Sequence, residues 1–116
     1  MEIWHNPRCS KSRAALAALS GSGAEFTERR YLEDAPTVAD LEDVLTRLGM
    51  EPWEITRMGE PVAKELELKS AEHDRGRWIE VLAAHPSLIQ RPIILTDDGR
   101  AFVARDEASV EAALGR

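Results

Sequence analysis

His5-Asn6-Pro7-Arg8-Cys9-Ser10-Lys11-Ser12-Arg13 is the stretch around which the rest of this chain is organised, and it holds the only cysteine among 116 residues. A short apolar piece, Ile3-Trp4, precedes it, and the helix-forming run Ala14-Ala15-Leu16-Ala17-Ala18-Leu19 comes after it. Strand, tight turn and helix in that order place Cys9 close to a helix N-terminus. Unpaired backbone N–H groups and the helix dipole favour an anion there. The same environment depresses a thiol pKa from about 8.5 into roughly the 3.5–7.5 range. The nine residues include His5, Arg8, Lys11 and Arg13 and no acid, in a chain whose formal net charge is −6. A lone cysteine is often no more than a small buried hydrophobe. Cys9, however, sits two residues after Pro7 and between Arg8 and Ser10, a setting that suits an exposed loop and a reactive thiolate.

Length and composition set the frame. A chain of 116 residues is expected to form one domain with a single core that needs neither disulfide nor metal. Hydrophobic residues make up 43% and charged residues 31%, the balance of a soluble globular protein rather than a disordered one. One cysteine closes no internal disulfide, no run reaches the length of a membrane span, and no signal-peptide pattern opens the chain, so the cytoplasm is the expected location. The acidic balance argues against nonspecific nucleic-acid binding. His73 and His85 lack a second ligand-type residue at metal spacing and read as structural; no metal site is expected.

Along the chain, residues 2–5 read as a strand, 10–20 as a helix stopping near Gly21-Ser22-Gly23, and 25–31 as a second strand parallel to the first. Thr37 with Asp40 is a helix start, and Leu41, Val44, Leu45 and Leu48 recur at helical spacing up to Gly49. Pro52 opens a short helix, Gly59-Glu60-Pro61 breaks it, and further helices are expected over 63–68 and from Trp78 to Ala83, ended by Pro86. Pro92 to Thr96 is a β-branched run, Asp97-Asp98-Gly99-Arg100 a hairpin turn, Ala101 to Ala104 the returning strand, and Ala108 to Leu114 a closing helix.

The motif His5-Asn6-Pro7-x-Cys9-x-x-Ser12-Arg13 resembles the active-site motif of the glutaredoxin-coupled arsenate reductases. The likeness continues through Tyr31-Leu32-Glu33 with Pro36-Thr37, and through His85-Pro86 to Leu88-Ile89-Gln90-Arg91-Pro92-Ile93. It implies an α/β, thioredoxin-like fold: a mixed four-stranded sheet with flanking helices and a helical insertion, about 37–86, between the second and third strands. The element order agrees with that picture. In such a fold the Arg91–Pro92 bond is expected to be cis.

The resemblance also assigns roles. Cys9 is the nucleophile, with His5 helping to hold the thiolate directly or through the turn. Ser12 and Asn6 are donors shaping the loop, and Arg13 belongs to the same anion-binding loop. Arg91, Arg57 and Arg105 cradle an arsenate-like oxyanion, because a planar guanidinium holds two oxygens of one oxyanion. Arg29, Arg30, Arg47 and Arg100 read instead as solvated surface charges. Cys9 and Ser12 form Cys-x-x-Ser, so an oxidised Cys9 needs an outside thiol. The implied reaction is reduction of arsenate to arsenite through a Cys9–arsenic intermediate, a detoxifying step in arsenic resistance. Glutathione is the reducing co-substrate, glutaredoxin the partner, no cofactor is tightly bound, and the protein is a monomer. A thiolate phosphatase loop needs Arg six positions after the cysteine, and that position is Ala15. Two other readings stay open: a glutathione-dependent thiol/disulfide reductase of the same fold without arsenate activity, and a regulator-like module that binds RNA polymerase.

Overall fold

The computed structural model describes residues 1–115. Its sheet has four short strands in the order β2-β1-β3-β4. β1 (Glu2–Trp4) runs parallel to β2 (Thr27–Arg29), with Ile3 opposite Glu28, and antiparallel to β3 (Ile93–Leu95), with Ile3 opposite Ile94. β4 (Ala101–Val103) returns antiparallel to β3. The two central strands are apolar because both their faces are covered, and Ile3, Trp4, Ile93 and Ile94 are almost wholly buried. The edge strand β2 carries Glu28 and Arg29, and charge on an edge discourages pairing with another chain. The result is the mixed sheet expected of a thioredoxin-like fold, with the helical insertion between β2 and β3.

Two compact units emerge. The first comprises Met1–Asp34 and the chain from Arg91 onward. Helix α1 (Ser10–Ser22) buries Ser12, Ala15 and Leu19, one stripe of its surface, and ends at Gly23, whose φ of 79° suits a residue without a Cβ. Leu19 and Ala15 share a core with Ile3, Ile94 and Val110. Helix α5 (Glu107–Ala113) adds Val110 and Ala113 to that core and is capped by Asp106, which accepts a 2.8 Å hydrogen bond from the Ser109 N–H.

The second unit, Ala35–Gln90, is helical. Helix α2 (Val38–Leu48) opens on a reciprocal cap: Thr37 Oγ1 accepts from the Asp40 N–H at 3.1 Å, and the Asp40 carboxylate accepts from the Thr37 N–H at 3.0 Å. Its buried Leu41, Val44 and Leu45 face helix α4 (Arg75–Ala84), which buries Trp78, Ile79 and Leu82. Trp53 stacks on His73 with ring centroids 4.1 Å apart, and Trp78 meets both edge-on.

Three local expectations shift. Helix α3 runs Pro61–Glu65 rather than 63–68: Pro61 occupies the first helical position, where its missing N–H costs nothing, and Glu67 turns the chain away with a φ of 53°. Helix α4 starts earlier than Trp78 because Asp74 accepts the Arg77 N–H at 3.3 Å. The second strand shrinks to three residues because the Arg30 carbonyl accepts the N–H groups of Glu33 and Asp34, folding the chain into a turn. The Arg91–Pro92 peptide is cis, as expected.

Removing the α2 cap should be measurable. Thr37→Ala is expected to lower unfolding free energy by about 1 kcal/mol in urea denaturation; an unchanged midpoint would show that the cap contributes nothing.

Candidate active site

Strand pairing builds the site. Trp4, the last residue of β1, lies opposite Ile93, the first residue of β3. The loop after β1 and the Arg91–Pro92 segment before β3 therefore emerge at the same end of the sheet.

That loop is tied down throughout. The His5 N–H donates to the Arg29 carbonyl at 2.8 Å, the Cys9 N–H to the Asn6 carbonyl at 3.0 Å, and the Arg13 N–H to the Cys9 carbonyl at 2.9 Å. Asn6 Oδ1 accepts the Arg8 N–H at 3.0 Å, so its side chain shapes the turn as an acceptor rather than as the expected donor. The Arg13 guanidinium donates to the Pro7 carbonyl at 3.0 Å and fastens the loop to the first turn of α1.

Ser12 is the hub. Its hydroxyl oxygen accepts the Asn6 N–H at 3.0 Å and lies 2.6 Å from His5 Nδ1, with Ser12 and His5 both buried. Burial holds the His5 pKa below its ordinary value, against the pull of Glu28 and with help from Arg30 and Arg13. The neutral imidazole and the Ser12 hydroxyl share one hydrogen bond, whose donor is set by the imidazole tautomer. His5 thus acts on the loop through Ser12.

Cys9 is the N-cap residue of α1, with φ −96° and ψ 123°. It is only 7% exposed, so the expectation of an exposed loop is corrected: the turn folds the sulfur inward. Burial pushes the thiol up. The Ser12 N–H, the Arg91 guanidinium and the Lys11 N–H outweigh it, and the net pKa falls below the ordinary value. The side chain of Cys9 does not cap the helix in the ordinary way; these donors favour the anion by aiming N–H dipoles and a positive charge at the sulfur.

Arg91 is the arginine that acts on this sulfur, and its Nε is buried without a hydrogen-bond partner among the described residues. Arg105, exposed, spends one Nη1–H on the Arg91 carbonyl at 2.7 Å and so braces the backbone that carries Arg91. Arg57 lies in the second unit, where its guanidinium pairs with Glu60 and donates to the Ser87 carbonyl at 3.2 Å. Arg29, expected to be a solvated charge, instead lies over the Trp4 ring at 5.5 Å. Sequence reasoning missed that brace and this stacking, because both depend on strands meeting from distant parts of the chain. Among the described residues no group of three or more His, Cys, Asp or Glu is arranged to hold a metal ion.

The chain is similar to known proteins over nearly its whole length. The model of the ArsC family matches residues 4–113. A protein from the glnII region of Streptomyces viridochromogenes, described as uncharacterised, is 54% identical and is covered over the full length of both chains. An arsenate reductase of Neisseria meningitidis is 37% identical, covering 98% of this chain and 97% of its own. The solved structure of an arsenate reductase from Vibrio cholerae superposes with a TM-score of 0.85 at 36% identity, over 99% of this chain and 97% of its own.

The sign of the thiol shift makes two outcomes measurable. Alkylation of Cys9 by iodoacetamide should reach half its maximal rate below the ordinary thiol pKa, and Arg91→Ala should move that midpoint upward; superimposable profiles would remove Arg91 as a cause. Between the folded and unfolded thiol pKa values the unfolded chain binds more protons, so stability rises with pH across that window. The increment is complete above the unfolded value and is lost as pH falls through the folded one. Cys9→Ser should flatten it in urea titrations at stepped pH.

Proposed function

The chain belongs to the ArsC family, and on that premise we propose that it reduces arsenate to arsenite with electrons from glutathione and glutaredoxin. The observation that carries the reading is Cys9 itself: a thiol held below its ordinary pKa, beside an arginine with a buried, unpaired N–H donor.

In the proposed reaction the Cys9 thiolate attacks arsenic and an S–As bond forms. One As–O bond breaks, and its oxygen leaves as water after gaining two protons. Arg91 and the first-turn N–H groups of α1 balance the negative charge on the remaining oxygens. Arg105 keeps Arg91 in place, and Arg57 is included on the strength of the resemblance. The glutathione thiol then displaces a second oxygen as water and forms a second S–As bond. A further thiol, from glutaredoxin, attacks the glutathionyl sulfur. A disulfide forms between those two sulfurs, and the electron pair of the broken S–As bond stays on arsenic, which becomes As(III). Water finally splits the Cys9–arsenic bond, releasing arsenite and restoring the thiolate. Two thiols are oxidised for each arsenic reduced. Both come from outside, because Ser12 occupies the place where an internal resolving cysteine would stand.

The test is arsenate-dependent NADPH oxidation coupled through glutathione, glutaredoxin and glutathione reductase. The natural protein should turn over, and Cys9→Ser should be inactive. Arg91→Ala should raise the KM for arsenate roughly 10- to 100-fold, the worth of one charge-assisted hydrogen bond of about 1.5–3 kcal/mol. Equal activity in the natural protein and Cys9→Ser would end the proposal.

A further inference from the structure

A second feature borders the thiol loop on the side of β2. A cleft of about 420 Å³ is lined on one wall by Asn6, Pro7 and Arg8 and on the other by Arg30, Leu32 and Glu33. Arg8 immediately precedes Cys9 in the chain, so the lining of the cleft ends one residue before the nucleophile. Both walls are preorganised. The thiol loop is fixed by the hydrogen bonds of Asn6 and Arg13, and the Arg30–Asp34 turn by the Arg30 carbonyl, which accepts two N–H groups. The His5 N–H to Arg29 carbonyl bond joins the two walls at their base.

The chemistry of the lining selects a ligand. Arg8 is exposed, and among the described residues its guanidinium has no ion-pair partner. Arg30 is paired with Glu28 at 2.8 Å but leaves 53% of its side chain in contact with solvent. Glu33 is exposed and makes no close ion pair among the described residues, though its charge is felt by Arg30 across the same wall. Leu32, 44% exposed, supplies an apolar contact. A single tetrahedral oxyanion calls for cations only and fills a small part of this volume. Sites of about 300–1,000 Å³ suit larger small molecules. Two guanidinium groups, one carboxylate and an apolar side chain lining one cleft match a ligand with two carboxylates, one ammonium and a short backbone.

We propose that this cleft docks the electron donor as a short peptide thiol, glutathione, with its carboxylates toward Arg8 and Arg30 and its ammonium toward Glu33. The inference rests on the reaction proposed above for the choice of thiol, and on the cleft alone for its place.

Binding and turnover separate the two. S-methylglutathione, whose sulfur cannot react, is titrated into the natural protein, Arg8→Gln and Glu33→Gln while backbone NMR shifts are monitored. The expected result is saturable binding with shifts concentrated at residues 5–8 and 30–33, weakened about tenfold or more in each variant. In the coupled assay the KM for glutathione should rise by a similar factor, while turnover driven by 2-mercaptoethanol, which has no charged group, stays at the natural level. Absence of saturable binding, shifts that map elsewhere, undiminished binding in both variants, or an equal loss with both thiols would each overturn the cleft assignment. Failure of the natural protein to turn over arsenate would overturn the reaction instead, and S-methylglutathione binding would still decide the cleft.

Discussion

The structure depends on one balance of electrostatic forces at Cys9. Burial of the sulfur disfavours its anionic form, while the first-turn N–H groups of α1 and the Arg91 guanidinium favour it, and the second effect is the larger. Neither donor is available without the fold. The N–H groups exist as orphan donors only because a helix begins at Ser10. Arg91 arrives only because β3 pairs antiparallel with β1 and brings its leading end to the loop after β1. A sheet of three-residue strands is thus enough to set the ionisation of one thiol.

Ser12 gives this arrangement its stiffness. One hydroxyl ties the Asn6 backbone, the buried His5 ring and the first turn of α1 together. In the proposed reaction the same position decides where electrons come from. A cysteine there would let the loop close on itself, whereas a serine holds the loop's shape and leaves the sulfur of Cys9 to be reduced from outside. Loop shape and, in the proposed reaction, the need for outside thiols are both set by the same side chain.

Charge is distributed with similar consequence. The chain is acidic overall, yet the thiol loop, the first turn of α1, the end of β2 and the turn after it gather Arg8, Arg13, Arg29 and Arg30. Arg29 is partly consumed by Trp4, and Arg57 by Glu60 and Ser87 in its own unit. Arg91 keeps a buried donor unpaired, and an arginine held in that way is ready for an anionic partner.

Much of this was legible in the residues. Thr37 and Asp40 marked the α2 cap because a reciprocal side-chain cap is a local device, and the Asp97–Arg100 turn marked its hairpin for the same reason. Where helices began at Pro61 and just after Asp74, the reading failed because proline and aspartate break or start a helix depending on the residues after them. By itself the sequence determined the strand–turn–helix around Cys9 and the single thiol that can close no internal disulfide, since these depend on neighbouring residues and on composition. Only the tertiary structure decided that the sulfur is buried, that Arg91 acts on it while Arg105 braces Arg91's backbone, and that a cleft opens between the thiol loop and the turn after β2. Those relations join residues far apart in the chain, and strand pairing, not local preference, brings them together.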